Sequence, residues 1–171
     1  AFMDHLRRVW PTRKKIRIAF VDLDHFKPLN DQFGHAVGDK VLRIVADRIS
    51  QADGVIATAR LGGDEFAVVL DERSSLQSVD TALCDLHRSI TSDIQWEAGL
   101  LTIGASIGFA EGHTRKQSLS GLLRSADTAM RRAKSNHLDW AVFNPKVDNA
   151  ALASSTLEME LKSAIKNGQI K

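Results

Sequence analysis

Two places in this 171-residue chain put carboxylates where apolar strand residues give way. Residues 16–21 are nearly continuous apolar side chains, and they end in Asp22 and Asp24, with Lys27 three residues further on. Residues 55–59 and 66–70 are two more apolar runs. Between them stand Gly62 and Gly63, followed at once by Asp64 and Glu65. Both acids are poor strand formers. Pressed against a tight turn, they repel each other and must be desolvated if the hairpin packs on a sheet. A divalent cation, which prefers hard oxygen ligands, would remove that cost. An acid just past a buried strand also sits at the strand's carboxyl edge, where open α/β sheets place their ligands. One such Asp is as readily a cap or turn former, and a bare Gly-Gly-Asp-Glu fits a polar hairpin with two solvated acids. Asp22, Asp24 and Lys27 together are harder to dismiss.

Asn30 and Asp39 form a second candidate pair. A guanine edge offers N1–H and N2–H₂ donors and an O6 acceptor. A carboxylate accepts from the donors, and an amide both gives and receives. Helix capping would account for both residues equally well.

The elements that must hold these groups follow from periodicity. Residues 16–21 read as a buried strand. Gly62 and Gly63 read as a two-residue hairpin turn, because such a turn needs positive φ. Asn30 or Asp31 can start a helical turn. Val41, Leu42, Ile44, Val45 and Ile49 then recur at helical spacing and should face the core. Leu76, Val79, Leu83 and Leu86 predict an amphipathic helix over 75–92, with Cys84 near its inner face and His87 at its boundary. Residues 100–110 read as a second buried strand whose glycines imply close backbone approach. Ser120 can cap the next helix, whose apolar stripe runs from Leu119 to Ala133, with Arg124, Arg131, Arg132 and Lys134 on its solvated side. Residues 140–143 close the sheet. At the ends, residues 2–10 read as a helix broken at Pro11, residues 150–155 as a linker, and residues 157–166 as a short amphipathic helix.

Composition is that of an ordinary globular domain: 43% hydrophobic, 26% charged, net charge +2. That small excess argues for neither a nucleic-acid partner nor a membrane surface. The run of Arg13, Lys14 and Lys15 with Arg17 reads as a solvated approach to a strand. Cys84 stands alone, so no disulfide framework or cysteine metal site is available, and a cytoplasmic location is expected. No apolar run is long enough to span a bilayer; an anchor elsewhere in a longer protein is compatible with this.

The run from Arg60 through Gly62-Gly63-Asp64-Glu65-Phe66 resembles the signature of the GGDEF family, the diguanylate cyclases. Asp22-Leu23-Asp24-His25-Phe26-Lys27 resembles that family's Asp-hydrophobic-Asp-x-Phe-Lys motif. Residues 30–39 resemble its Asn-Asp-x-x-Gly-His-x-x-Gly-Asp pattern, residues 106–110 its Ser-Ile/Val-Gly-Ile-Ala strand, and residues 126–134 its Ala-Asp-x-Ala-Leu-Tyr-x-Ala-Lys helix. The likeness covers about residues 16–143. It implies an α/β (α+β) sandwich: a mostly antiparallel five-stranded sheet flanked by helices, the ferredoxin-like palm of nucleotidyl cyclases. The implied domain covers residues 1–145, and residues 146–171 would be a linker and the start of an EAL-like phosphodiesterase domain.

The same likeness implies a reaction, the condensation of two GTP into cyclic di-GMP and pyrophosphate by a homodimer. Asp22, the Leu23 carbonyl, Asp64 and Glu65 would hold Mg²⁺ or Mn²⁺, and Asp64, Glu65 and Lys27 would be catalytic. Asn30 and Asp39 would read guanine. Phe26, Gly62, Gly63 and Lys134 would line the substrate, with Lys134 on the triphosphate and Lys27 on phosphate charge. An N-terminal sensory domain and a C-terminal EAL domain are the implied neighbours. The alternative is a catalytically silent GTP-binding domain that controls an adjacent EAL phosphodiesterase. Three departures stand out. The family's lead-in motif is absent. Asp53 and Ile56 replace the Arg-x-x-Asp of its product-inhibition site. His137-Leu138-Asp139 stands where it usually reads Gly-Arg-Asn, so the phosphate-holding Arg is missing.

Overall fold

In the computed structural model the described residues are 6–7, 10, 14–71, 78–96 and 99–148. Among these residues the main elements follow in order: β1 (Lys15–Asp24), α1 (Phe26–Phe33), α2 (His35–Gln51), β2 (Val55–Gly62), β3 (Glu65–Leu70), α3 (Val79–Thr91), β4 (Ile94–Trp96), β5 (Gly99–Leu101), β6 (Gly104–His113), α4 (Leu119–Ser135) and β7 (Trp140–Val142). Five strands make one sheet in the order β2-β3-β1-β6-β7, with β4 and β5 a separate small hairpin. The large sheet is antiparallel except for β6 and β7, which run parallel across the α4 connection. This is the mostly antiparallel five-stranded sheet with flanking helices expected from the sequence.

β1 lies at the centre and is apolar on both faces because helices cover both. Ala19, Val21 and Leu23 join the core packed by Val41, Leu42, Val45 and Ile49 of α2 and Leu83, Leu86 and Ile90 of α3. Ile16 and Ile18 face the other way, against Leu122 and Ala126 of α4. Full burial of one such side chain contributes about 1.5–3 kcal/mol. On that second face α4 sits directly on β6. A Cβ at Gly108 would lie 2.0 Å from the Met130 nitrogen and 2.2 Å from the Ala126 oxygen, so helix and strand touch backbone to backbone. This is the close approach that the glycines of residues 100–110 suggested.

Several boundaries differ from the sequence reading. The hairpin turn is one residue later: Gly62 pairs with Glu65, and Gly63 (φ 53°) and Asp64 form the tip. A bulge between Arg60 and Gly62 absorbs the shift. α1 begins at Phe26 rather than at Asn30 or Asp31, because His25 turns the chain left-handed (φ 56°) straight after β1. Residues 100–110 are not one strand. They divide at Thr102 and Ile103, and the first part pairs with β4, an element the sequence reading missed. Ser118, not Ser120, caps α4 by accepting from the Gly121 amide. Ser78 caps α3 in the same way through Thr81, so that helix starts later than residue 75. β7 ends at Val142. Leu6 and Arg7 are helical and Leu6 is buried, but most of residues 2–10, residues 72–77 and the whole of 149–171 lie outside the described residues.

Candidate active site

The alternation that buries Ile16 and Ile18 under α4 carries Asp22 and Asp24 onto the same face at the strand's far end. Asp22 is 8% exposed and stands opposite Glu65 in the β1–β3 register. Cross-strand partners in an antiparallel pair share a face, so these two carboxylates look into the same space. The hairpin tip is fastened to β1 by the Leu23 amide, which donates to the Asp64 carbonyl at 3.2 Å. The Ser106 hydroxyl donates to Asp24 at 3.0 Å. From the last turn of α4, the Lys134 ammonium donates to Asp22. Partial burial pulls the Lys134 pKa down. The hydrogen bond and charge of Asp22, with the charges of Asp24 and Asp64, outweigh that and hold it above the ordinary lysine value.

A cavity of about 780 Å³ opens beside this cluster. One wall is the turn from β1 into α1, including Asp24, Phe26 and Lys27, with Asp64 next to it. The facing wall is the segment from α4 into β7, with Lys134, His137 and Leu138. His87 and Thr91 of α3, the segment from Thr102 to Ala105, and Ser106 of β6 also line it. α1 has no side-chain cap at its amino end, and its first two residues line the cavity, so uncapped amides and the positive end of the helix dipole adjoin the space. Phosphate groups suit such a setting.

Asn30 and Asp39 are placed apart from this cavity, between α1 and α2. Neither caps a helix: the N-cap positions are His25 and Gly34. The Asn30 amide lies over Gly38, where an added Cβ would come within 1.9 Å of its Oδ1 and 3.2 Å of the Phe26 Cζ. Gly38 therefore leaves room for the amide, next to Asp39 in the chain. With capping removed as an explanation, the pair is free to meet a ligand edge.

The described residues bring Asp22 and Glu65 face to face and place the Asp64 backbone against β1. They do not gather three or more His, Cys, Asp or Glu side chains around one point suited to a metal. The donor chemistry still fits a hard cation: two carboxylates on one face, beside backbone oxygens at the end of β1 and the hairpin tip. Gly62 closes β2 opposite Glu65, and Gly63 supplies the positive φ of the tip. Sequence reasoning missed Ser106 and His137 as members of the site. Counting alternate residues along β6 from the buried Ile107 would have placed Ser106 on the α4 face. His87 is a boundary residue, with Nε2 3.1 Å from the Ala105 carbonyl and 3.5 Å from Asp139. Among the described residues no helix is long and apolar enough to cross a membrane.

The family description "Diguanylate cyclase, GGDEF domain" matches residues 1–139. The diguanylate cyclase DgcP of Escherichia coli is 39% identical over 127 residues, 70% of this chain and 36% of that protein. The bifunctional diguanylate cyclase/cyclic di-GMP phosphodiesterase MucR of Pseudomonas aeruginosa is 32% identical over 163 residues, 92% of this chain and 23% of that protein. Among solved structures, the GGDEF domain of DgcB from Caulobacter crescentus in complex with c-di-GMP superposes with a TM-score of 0.71. It is 31% identical, over 84% of this chain and 87% of that one. The chain spans about a fifth to a third of the length of the curated relatives it matches.

Proposed function

Because this chain belongs to the GGDEF family, we propose that it is a diguanylate cyclase domain that joins two GTP into cyclic di-GMP with release of two pyrophosphates. The observation that carries this reading is the pairing of Asp22 with Glu65 across β1 and β3, beside a cavity lined by Lys27 and Lys134. Asn30 and Asp39 would hold the guanine edge between α1 and α2. Lys27, the first amides of α1 and Lys134 would hold the triphosphate. Asp22, Asp64, Glu65 and the Leu23 carbonyl would bind Mg²⁺ or Mn²⁺. A divalent cation bound there supplies Lewis acidity to the ribose 3′-hydroxyl and the α-phosphate. Asp64 or Glu65 would take the proton of that hydroxyl as its oxygen attacks the α-phosphate. The P–O bond to the β-phosphate breaks, and pyrophosphate leaves.

Each chain holds one GTP, and the product has two phosphodiester links, so two copies must meet face to face. In the full-length protein the partners would include a sensory domain before this one and an EAL domain after it. The test is product formation: the dimeric protein with GTP and Mg²⁺ should yield cyclic di-GMP, and no product at high protein concentration would overturn the reading. A silent GTP-binding domain that tunes a neighbouring phosphodiesterase is favoured by one observation. The exposed Leu138 occupies the cavity wall where the family pattern has a cation. GTP binding without turnover would select that alternative.

A further inference from the structure

Among the described residues only two that are not glycine adopt positive φ: His25 at 56° and His137 at 53°. They lie 112 positions apart in the chain, yet both line the same cavity, one on each wall. Left-handed backbone costs a residue with a Cβ about 1–2 kcal/mol. A strained backbone retained at a cavity points to a use there. His137 directly follows the C-cap of α4, its amide bonded to the Lys134 carbonyl, a position where glycine would serve without strain. Its imidazole is exposed and has no hydrogen-bond or ion-pair partner among the described residues.

The charges around it make the gap specific. Lys134, the lysine that lines the same wall, is already committed to Asp22. Leu138 brings no polar atom. Asp139 lies beside His87. Across the space, Lys27 on the α1 wall has no acid partner, while Asp24 is held by Ser106. On the α4–β7 wall an N–H donor without a partner is therefore supplied by His137.

We infer that His137 is a triphosphate-binding residue, its ring N–H donating to the outer phosphate oxygens of the nucleotide and taking the place of a guanidinium on that wall. The assignment rests on the proposed GTP site and goes beyond it. It gives one residue a role that neither the sequence motifs nor the relatives supply, and it explains how the cavity holds a polyphosphate with Leu138 in its lining.

The test is titration calorimetry on the full chain with GTP, GMP and inorganic tripolyphosphate. His137→Gly removes the ring and relieves the backbone, so the variant should melt at or above the native temperature. It should weaken GTP and tripolyphosphate about tenfold, the scale of a single charge-assisted hydrogen bond, and leave GMP unchanged. Adding Leu138→Arg to that variant should recover a few-fold of the lost GTP affinity. Unchanged GTP and tripolyphosphate binding in His137→Gly would overturn the inference, as would an equal loss for GTP and GMP. If tripolyphosphate binds in a His137-dependent way and GTP binds no better, the nucleotide reading falls and the phosphate contact stands. If neither ligand binds the native protein, both fall.

Discussion

The two walls of the cavity are built on different terms. The β1–β3 wall is held by strand register: the Leu23 amide bonds the Asp64 carbonyl, and Asp22 and Glu65 are aligned by ladder geometry. Its side chains keep the pattern of the family throughout. The α4–β7 wall is held by a helix end. Its lysine, Lys134, reaches from α4 to Asp22 of β1, beside the cavity. The residues after it, His137, Leu138 and Asp139, depart from the pattern. The difference shows which part of such a site tolerates change. Moving an acid on a ladder alters the register of a buried strand, whereas the loop after a helix can exchange a cation for a leucine at little cost to the fold.

Breaking the acid wall should have the largest effect. Glu65→Ala should lower cyclic di-GMP formation about a thousandfold, the scale of several kcal/mol of lost charge stabilisation, with the melting temperature kept. Loss of folding instead would make the pair a structural feature. Next comes the seat of the other wall. Gly108→Ala sets a methyl group against the Met130 and Ala126 backbone, and α4 must lift from β6. Chemical denaturation should show a loss of about 3 kcal/mol. Native-like stability would mean that α4 shifts freely and does not fix Lys134.

Smaller effects sharpen the contrast. Asp39→Ala should weaken GTP about tenfold, the size of one charge-assisted contact, while ATP binding stays the same. Equal losses for both nucleotides would remove the guanine assignment. Leu138→Arg alone should tighten GTP only a few-fold, as an exposed charge adds on the order of 1 kcal/mol or less. A large gain in turnover would show that this wall, rather than the acids, limits the native domain.

How much of this was readable in advance divides along similar lines. The identity of β1, the helix carrying Val41 to Ile49 and the place of Asp22 and Asp24 at a strand end came from local patterns: alternation, helical spacing and acids where an apolar run stops. What failed depended on partners distant in the chain or on single backbone angles. The hairpin tip moved by one residue because a bulge after Arg60 lets Gly62 pair with Glu65, and two adjacent glycines give no cue as to which turns. α1 starts at Phe26 because His25 takes a left-handed angle, which its side chain does not announce. Ser118 and Ser120 both have capping side chains, and only the position of the Gly121 amide decides between them. The partners of Lys134 and Ser106 required the sheet order, since Asp22 and Asp24 are more than 80 residues away from either.

Past β7 the chain makes one helical turn at residues 145–148. Asp148 there is 1% exposed, gripped by Arg132 of α4 at 2.7 Å and by the Asn144 amide at 2.7 Å. Cutting one side of so enclosed a charge pair costs far more than loosening a surface contact. The turn at residues 145–148 is thus riveted to the helix that carries Lys134, through an arginine two residues from it. A pull or twist applied at residue 148 is therefore passed to that helix instead of being taken up between β7 and Asp148.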